Sequence, residues 1–370
     1  MNQDIVDKCV RAIAEADLDG LIAMSPENFG YVAGFIVPSQ PILRWRHAAV
    51  VVTADGRTAL FTVDMEASTV ADLEPGSDIK VWEEFEDDAM PVLSRLLGDL
   101  GLGSGRIGLE TDYIPARDLD RLSGLLPDAR WEPAGAMFNR LRLIKTPREL
   151  ELMRRLARIT DQSIKDALES VKPGDTEMEL AGAVTTGLFR LGADNFKWLI
   201  LASGERSQFP NVGPTSRTLG PGDLVRLEVF GMLDGYHTGI CRTAVVAAPD
   251  AEVTSIWSGI VECRDIIWDS IRPGASAAAI YGKVARRFAD QGWEPMSFVG
   301  HGIGLFVHEE PYIGRYGDAA IEAGMVLGTE PVLLLPGRYG FQVKDIVAVG
   351  EDGCELLSDV TNTDQLFVIE

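Results

Sequence analysis

The second half of this chain is written twice, and that repetition restricts its fold more than any other feature. Val171-Lys-Pro-Gly174 returns about one hundred residues later as Ile271-Arg-Pro-Gly274, and Gly222-Asp-Leu-Val-Arg-Leu-Glu228 returns as Gly324-Met-Val-Leu-Gly-Thr-Glu330. Gly235-Tyr-His-Thr-Gly239 likewise has its counterpart in Gly340-Phe-Gln-Val-Lys344. Each unit reads as helix, helix, strand, strand. Two copies are too few for a solenoid, which needs at least three. The repetition therefore predicts a pseudo-twofold domain whose paired strands meet at its centre, with Glu228 equivalent to Glu330 and Gly239 equivalent to Lys344.

A stretch that has no copy feeds the same centre. Phe298-Val-Gly-His-Gly-Ile-Gly-Leu-Phe-Val-His-Glu-Glu-Pro311 holds two of the four histidines and sets three glycines around the first of them, His301. A cluster of Glu228, Glu330, His301 and Lys344 is costly to bury unless its charges pair. Such clusters mark functional sites more often than structural ones.

Length and composition bound the rest. With 370 residues the chain exceeds one ordinary core, so two domains are expected. A hydrophobic fraction of 46% with 24% charged residues is that of a globular protein, and no apolar run reaches the roughly 20 residues that cross a bilayer. The dispersed net charge of −22 argues against nucleic-acid and anionic-membrane partners. The first twenty residues lack a basic head followed by an apolar run, which predicts a cytoplasmic address. Cys9, Cys241, Cys263 and Cys354 lie too far apart for a zinc knuckle and are expected to be free thiols.

Residues 1–135 alternate helix and strand, with helical spacing over Val6 to Ala16 and strand-like runs at Leu21 to Met24, Ala48 to Thr53, Thr58 to Val63 and Ile107 to Leu109. The pattern loosens near Pro133, and residues 136–370 form the second domain. Its first long helix is announced by Thr146-Pro147-Arg148-Glu149, an N-cap, a proline at the first helical position and a capping box.

The chain resembles the pita-bread family of methionine aminopeptidases, Xaa-Pro aminopeptidases, prolidases and creatinase. Ser25-Pro-Glu-Asn-Phe-Gly-Tyr-Val-Ala-Gly-Phe35, Phe138-Asn-Arg-Leu-Arg-Leu-Ile-Lys-Thr-Pro-Arg-Glu149 and above all GHGIGLFVHEEP carry the resemblance. It implies an α/β (α+β) chain, in which a creatinase-like α/β domain precedes a pseudo-twofold pita-bread catalytic domain. The family's peptidases hold two metal ions with five side chains, which fall here on Glu228, Gly239, His301, Glu330 and Lys344. Glycine offers no donor, and a protonated lysine repels a cation. The resemblance so read implies no metal and no cofactor, with the Lys344 ammonium in the space of the ions. On that reading, changing Lys344 to Glu together with Gly239 to Asp is expected to raise metal affinity.

Creatinase is the family's metal-free precedent. The resemblance thus implies a metal-independent hydrolase of the creatinase type, cleaving a C–N bond (amide, amidine or guanidine) of a small amino-acid-like molecule. His301, Glu330, Glu228, His308 and Lys344 are its catalytic candidates. Arg44, Arg46, Asn211 and Arg315 are candidates for binding the substrate, and relatives suggest a homodimer. Two alternatives stand beside it: a metal-dependent Xaa-Pro dipeptidase or aminopeptidase, and a non-catalytic binding module.

Overall fold

The computed structural model describes residues 1–370 and divides into two compact units, Met1–Arg142 and Leu143–Glu370. In the first, a six-stranded mixed sheet runs in the order Ile79–Trp82, Thr58–Val63, Ala49–Thr53, Gly20–Ala23, Arg106–Leu109, Arg130–Pro133. The valine-rich strand Ala49–Thr53 sits inside the sheet and is buried along its whole length, as a continuous β-branched run predicts. Helix Ala89–Asp99 buries Met90, Leu93 and Leu97 against Ile22, Val51 and Phe61. Helix Gly135–Leu143 closes this unit, whereas the sequence reading began the second domain at residue 136. Two long-range bonds account for the difference: Arg142 Nη1 donates to Asn28 Oδ1 at 2.7 Å, and the Tyr31 hydroxyl donates to the Leu141 carbonyl at 2.7 Å.

The second unit shows why its sequence repeats. Helices Pro147–Ser170 and Glu177–Leu191 pack in one core with strands Leu224–Leu233 and Ile240–Val246. Helices Ala251–Ser270 and Ala277–Asp290 pack in another with Val326–Thr329 and Asp345–Val349. Thr146 and Glu149 form the predicted capping box at the first helix. The repeated glycines have matching conformations because each makes the same turn. Gly174 and Gly274 lie at φ 97° and 84°, and their N–H groups donate to the carbonyls of Leu219 and Ile321. Gly222 and Gly324 both lie at φ 87° and donate to Val246 and Val349. A side chain at such a φ is strained, so glycine is kept in both copies.

The two halves meet backbone to backbone between Cys241 and Lys344, which exchange N–H···O bonds of 3.1 Å in both directions. Arg242 clamps this junction. Its Nε binds Asp161 Oδ1 at 3.0 Å, its Nη2 binds Asp345 Oδ1 at 2.8 Å, and its Nη1 donates to the carbonyls of Cys241 and Lys344 at 3.0 and 2.9 Å. All four cysteines are free, three of them buried, and no helix is long and apolar enough to cross a membrane.

Replacing Arg242 by Met would leave Asp161 and Asp345 buried without a counter-charge. The expected loss is about 3–5 kcal/mol, read in a denaturant titration. A loss near zero would mean that the clamp is dispensable to the junction.

Candidate active site

The junction delivers four charged or polar side chains to one point. Glu228 comes from Leu224–Leu233, where it stands opposite Cys241, while Glu330 directly follows Val326–Thr329. Lys344 precedes Asp345–Val349, and His301 lies on the strand Phe298–Gly302. All are at most 5% exposed. The Lys344 ammonium sits between the carboxylates, 3.1 Å from Glu228 Oε1 and 3.1 Å from Glu330 Oε2. Burial alone would push the ammonium's pKa down, but Glu330 and Glu228 together hold it above the ordinary lysine value. Each contact supplies about 5 kcal/mol of attraction at an effective dielectric near 20, which offsets a desolvation cost of several kcal/mol per ion.

Gln342 completes the charge cluster. Its amide nitrogen donates to Glu228 Oε2 at 3.1 Å and Glu330 Oε2 at 3.2 Å, and its amide oxygen accepts from Arg226 at 2.8 Å. Glu228 therefore has both oxygens taken, and Glu330 has one left, Oε1.

The remaining oxygen faces His301. Nδ1 of that ring lies 2.8 Å from the Gly302 carbonyl, which can only accept, so Nδ1 is assigned the hydrogen. In the neutral ring Nε2 then carries a lone pair, 3.2 Å from Glu330 Oε1. The two atoms are at ion-pair distance, yet neither has a hydrogen-bond partner. With the ring neutral, two lone pairs face each other without a hydrogen between them, an arrangement that a cation between them would satisfy.

A third donor stands beside them. The His308 ring stacks on His301 with centroids 3.7 Å apart and planes 14° apart. Its position follows from the hairpin of Phe298–Gly302 and Glu309–Gly314, in which Gly302 lies opposite Glu309. Glu309 is fixed by Lys145 at 3.1 Å and by the Phe306 N–H at 3.2 Å, which anchors the turn carrying His308. Burial, followed by the charges of His301 and Lys344, lowers the pKa of His308 to about 4, so the imidazole is neutral at pH 7. Phe298 and Tyr312 enclose the pair edge-on or tilted, at 5.7 to 6.3 Å between centroids. Burial first, then Glu310 and Glu330, raises the Tyr312 phenol above its usual pKa, so it keeps its proton.

The donor atoms of His301, His308 and Glu330 all lie within 4.8 Å of one another. Two histidines and a carboxylate are a zinc-type set, and a 3.2 Å separation is close to the ~3.3 Å edge of a tetrahedron with bonds of about 2.0–2.1 Å. These donors are a candidate set for one ion once the His308 ring, stacked parallel on His301, turns its lone pair toward Glu330 Oε1, whereas the sequence reading expected no metal ligand. A second ion on the Glu228 side does not fit, because Lys344 and Gln342 occupy that carboxylate.

The expected effect of Gly239→Asp is also corrected. A Cβ at Gly239 would lie 2.6 Å from Phe230 Cε1 and 3.2 Å from Lys344 Cε, so the Phe230 ring fills the room an aspartate needs. Of the substrate-binding candidates, Arg315 borders a cavity of about 340 Å³ shared with Phe298, Glu310 and Tyr312. Asn211 is exposed on the loop after Gly204–Gln208 and makes no hydrogen bond to the cluster. Arg44 and Arg46 belong to the first unit, where Arg44 is exposed and Arg46 is tied to Glu84 at 2.7 Å. Sequence reasoning missed Gln342, Phe230 and Tyr312. Strand alternation could have found the first two, since Gln342 lies two residues from Lys344 and Phe230 two from Glu228.

Comparison with known proteins follows the same division of the chain. The sequence model of Metallopeptidase family M24 matches residues 151–351, and that of the Creatinase/Prolidase N-terminal domain matches residues 6–144. A protein named probable dipeptidase PepE of Mycobacterium tuberculosis is 30% identical over 351 residues, covering 92% of this chain and 90% of its own. An Xaa-Pro dipeptidase of Lactobacillus helveticus is 25% identical, covering 97% of both chains. The crystal structure of dipeptidase PepE from Mycobacterium ulcerans superposes with a TM-score of 0.84 at 26% identity, covering 99% of this chain and 97% of that one. These relatives overturn the creatinase-type expectation. They are named as peptidases, and the matching family is one of metallopeptidases, so the metal-independent cleavage of a small amino-acid-like molecule is withdrawn.

His237 and His308 generate a pH dependence of stability. Burial lowers each from 6.5 to about 4 in the folded protein. As pH falls through that window the unfolded chain binds protons that the folded chain refuses, so stability falls with pH. Melting temperature should decline steadily from pH 6.5 to pH 4, with a shallower slope in His237→Gln. An unchanged slope in that variant would contradict the assignment of His237.

Proposed function

The chain belongs to Metallopeptidase family M24, and from that premise we propose that it is a metal-dependent dipeptidase acting on short peptides, Xaa-Pro dipeptides among them. The observation that carries this reading is the unshared pair His301 Nε2 and Glu330 Oε1, 3.2 Å apart with His308 alongside. The names of the M. tuberculosis and L. helveticus relatives support the choice of a peptide substrate.

A divalent ion bound by His301, His308 and Glu330 would polarise the scissile carbonyl and acidify a bound water. The protein's own groups divide the remaining tasks. The Gly302 carbonyl fixes the His301 tautomer and turns Nε2 toward the centre. Lys344 and Gln342 hold Glu330 Oε2, so its carboxylate presents only Oε1. Tyr312 keeps its phenolic proton and can donate it in a hydrogen bond to the oxygen that gains charge in the transition state. The apolar edges of Phe298 and Tyr312 exclude water from the imidazole pair. Arg315, on the rim of the adjoining cavity, offers a planar fork for the substrate's terminal carboxylate.

The test is an assay over Xaa-Pro and other dipeptides with metal-stripped protein, repeated after adding back zinc, manganese or cobalt. Cleavage should vanish on stripping and return with the ion. Glu330→Gln and His308→Ala should each lower kcat/KM by roughly a hundredfold or more. Full cleavage in excess chelator, or no cleavage of any peptide under any metal, would reject the proposal.

A further inference from the structure

We propose that the Lys344 ammonium is a resident second cation of this centre, filling with the Phe230 ring the space in which a two-ion site would hold its other metal. Its bearing on how many ions bind rests on the reading of His301, His308 and Glu330 given above.

Three features point the same way. The first is the occupancy of the carboxylates. Each Glu228 oxygen accepts a bond from Lys344 or Gln342 and the inner oxygen of Glu330 accepts from both, so a metal on the Glu228 side would have to displace these donors and approach the ammonium. The second is the ring. Lys344 Nζ lies 4.8 Å from the centroid of Phe230, within the range of a cation–π contact. Trp198 stacks on Phe230 with centroids 5.9 Å apart and planes 23° apart. The ring is thereby braced next to the ammonium.

The third feature is Gly239. A side chain there would meet Phe230 at 2.6 Å and the Lys344 stem at 3.2 Å, so a donor at 239 and the ring at 230 exclude one another. Lys344, Phe230 and Gly239 are therefore one device of three interlocking parts. Loss of ligands by drift would leave a hole or unpaired carboxylates, whereas this position is filled, neutralised and stacked. The charge balance follows. Glu228 is neutralised within the protein, and the net negative charge of Glu330 remains for the ion at Oε1.

A consequence is that the full second ligand set cannot be restored by one change, although removing the ammonium alone uncovers Glu228 Oε1 and Glu330 Oε2 for a divalent ion. Lys344→Glu leaves the ring in place, and Gly239→Asp collides with it. Only Phe230→Ala, Gly239→Asp and Lys344→Glu together supply both the room and the oxygens.

The experiment counts ions and follows stability, so it does not depend on activity. Wild type, Lys344→Met and the triple variant are stripped, titrated with Mn²⁺ and Zn²⁺ by calorimetry, and analysed for metal by plasma mass spectrometry. Wild type should bind no more than one ion per chain and the triple variant two. In chelator Lys344→Met should melt roughly 10 °C below wild type, since two buried carboxylates lose their counter-ion. Manganese or zinc should recover most of that difference through a binding event that wild type lacks. Zero ions in wild type with this recovery in Lys344→Met supports the resident cation and rejects only the three-ligand ion site. Two ions in wild type, or a Lys344→Met protein whose melting temperature no divalent ion restores, overturns the inference. If the triple variant does not fold, the wild-type count and the Lys344→Met melting curves decide it.

Discussion

The ammonium of Lys344 between Glu228 and Glu330 is the contact around which the second unit is organised. Two carboxylates so deeply buried cannot stay ionised side by side without a cation. The fold brings them together because each ends up at the same place in its own half. The lysine is held at its backbone by the exchange of hydrogen bonds with Cys241 and by Arg242, which donates to its carbonyl. The charge cluster and the joint between the halves thus share one residue, whose side chain serves the first and whose backbone serves the second.

That arrangement divides the labour of Glu330. Its inner oxygen belongs to the internal cation and the Gln342 amide, and its outer oxygen belongs to His301 and the position beside it. The centre is asymmetric, with a permanent organic charge on one side and the three-donor position proposed for an ion on the other. An ion there faces one uncompensated carboxylate instead of several, so it should be held less tightly than in a site with more oxygen ligands.

Much of this was legible in the sequence because symmetry is a long-range signal. The repeated Pro-Gly turns, Gly222 and Gly324, and the glutamates that follow them placed Glu228 opposite Glu330 before any coordinates, and the structure gives the two glycines the same φ. Lys344 at the centre followed from the same register. His308 was a catalytic candidate from its motif, but its place against His301 did not follow from that register, because only the return of the hairpin stacks the two rings. Reading the loss of Gly239 and Lys344 as ligands as a loss of all metal chemistry overlooked that added donor, and the peptidase relatives expose the error. Phe230 and Gln342 were hidden for another reason: an apolar or neutral residue on a strand is ordinary until its neighbour is known to carry a buried charge. The boundary near residue 142 was displaced because long-range bonds to Asn28 and from Tyr31, invisible locally, decide which unit owns the helix.

Diffraction from crystals grown with zinc and recorded across the zinc absorption edge tests the central claim most directly. The account predicts one anomalous peak per chain, within bonding distance of His301, His308 and Glu330, with the Lys344 amine still between the two carboxylates. Two peaks roughly 3.5–4 Å apart, with the lysine swung out of the cluster, would contradict it.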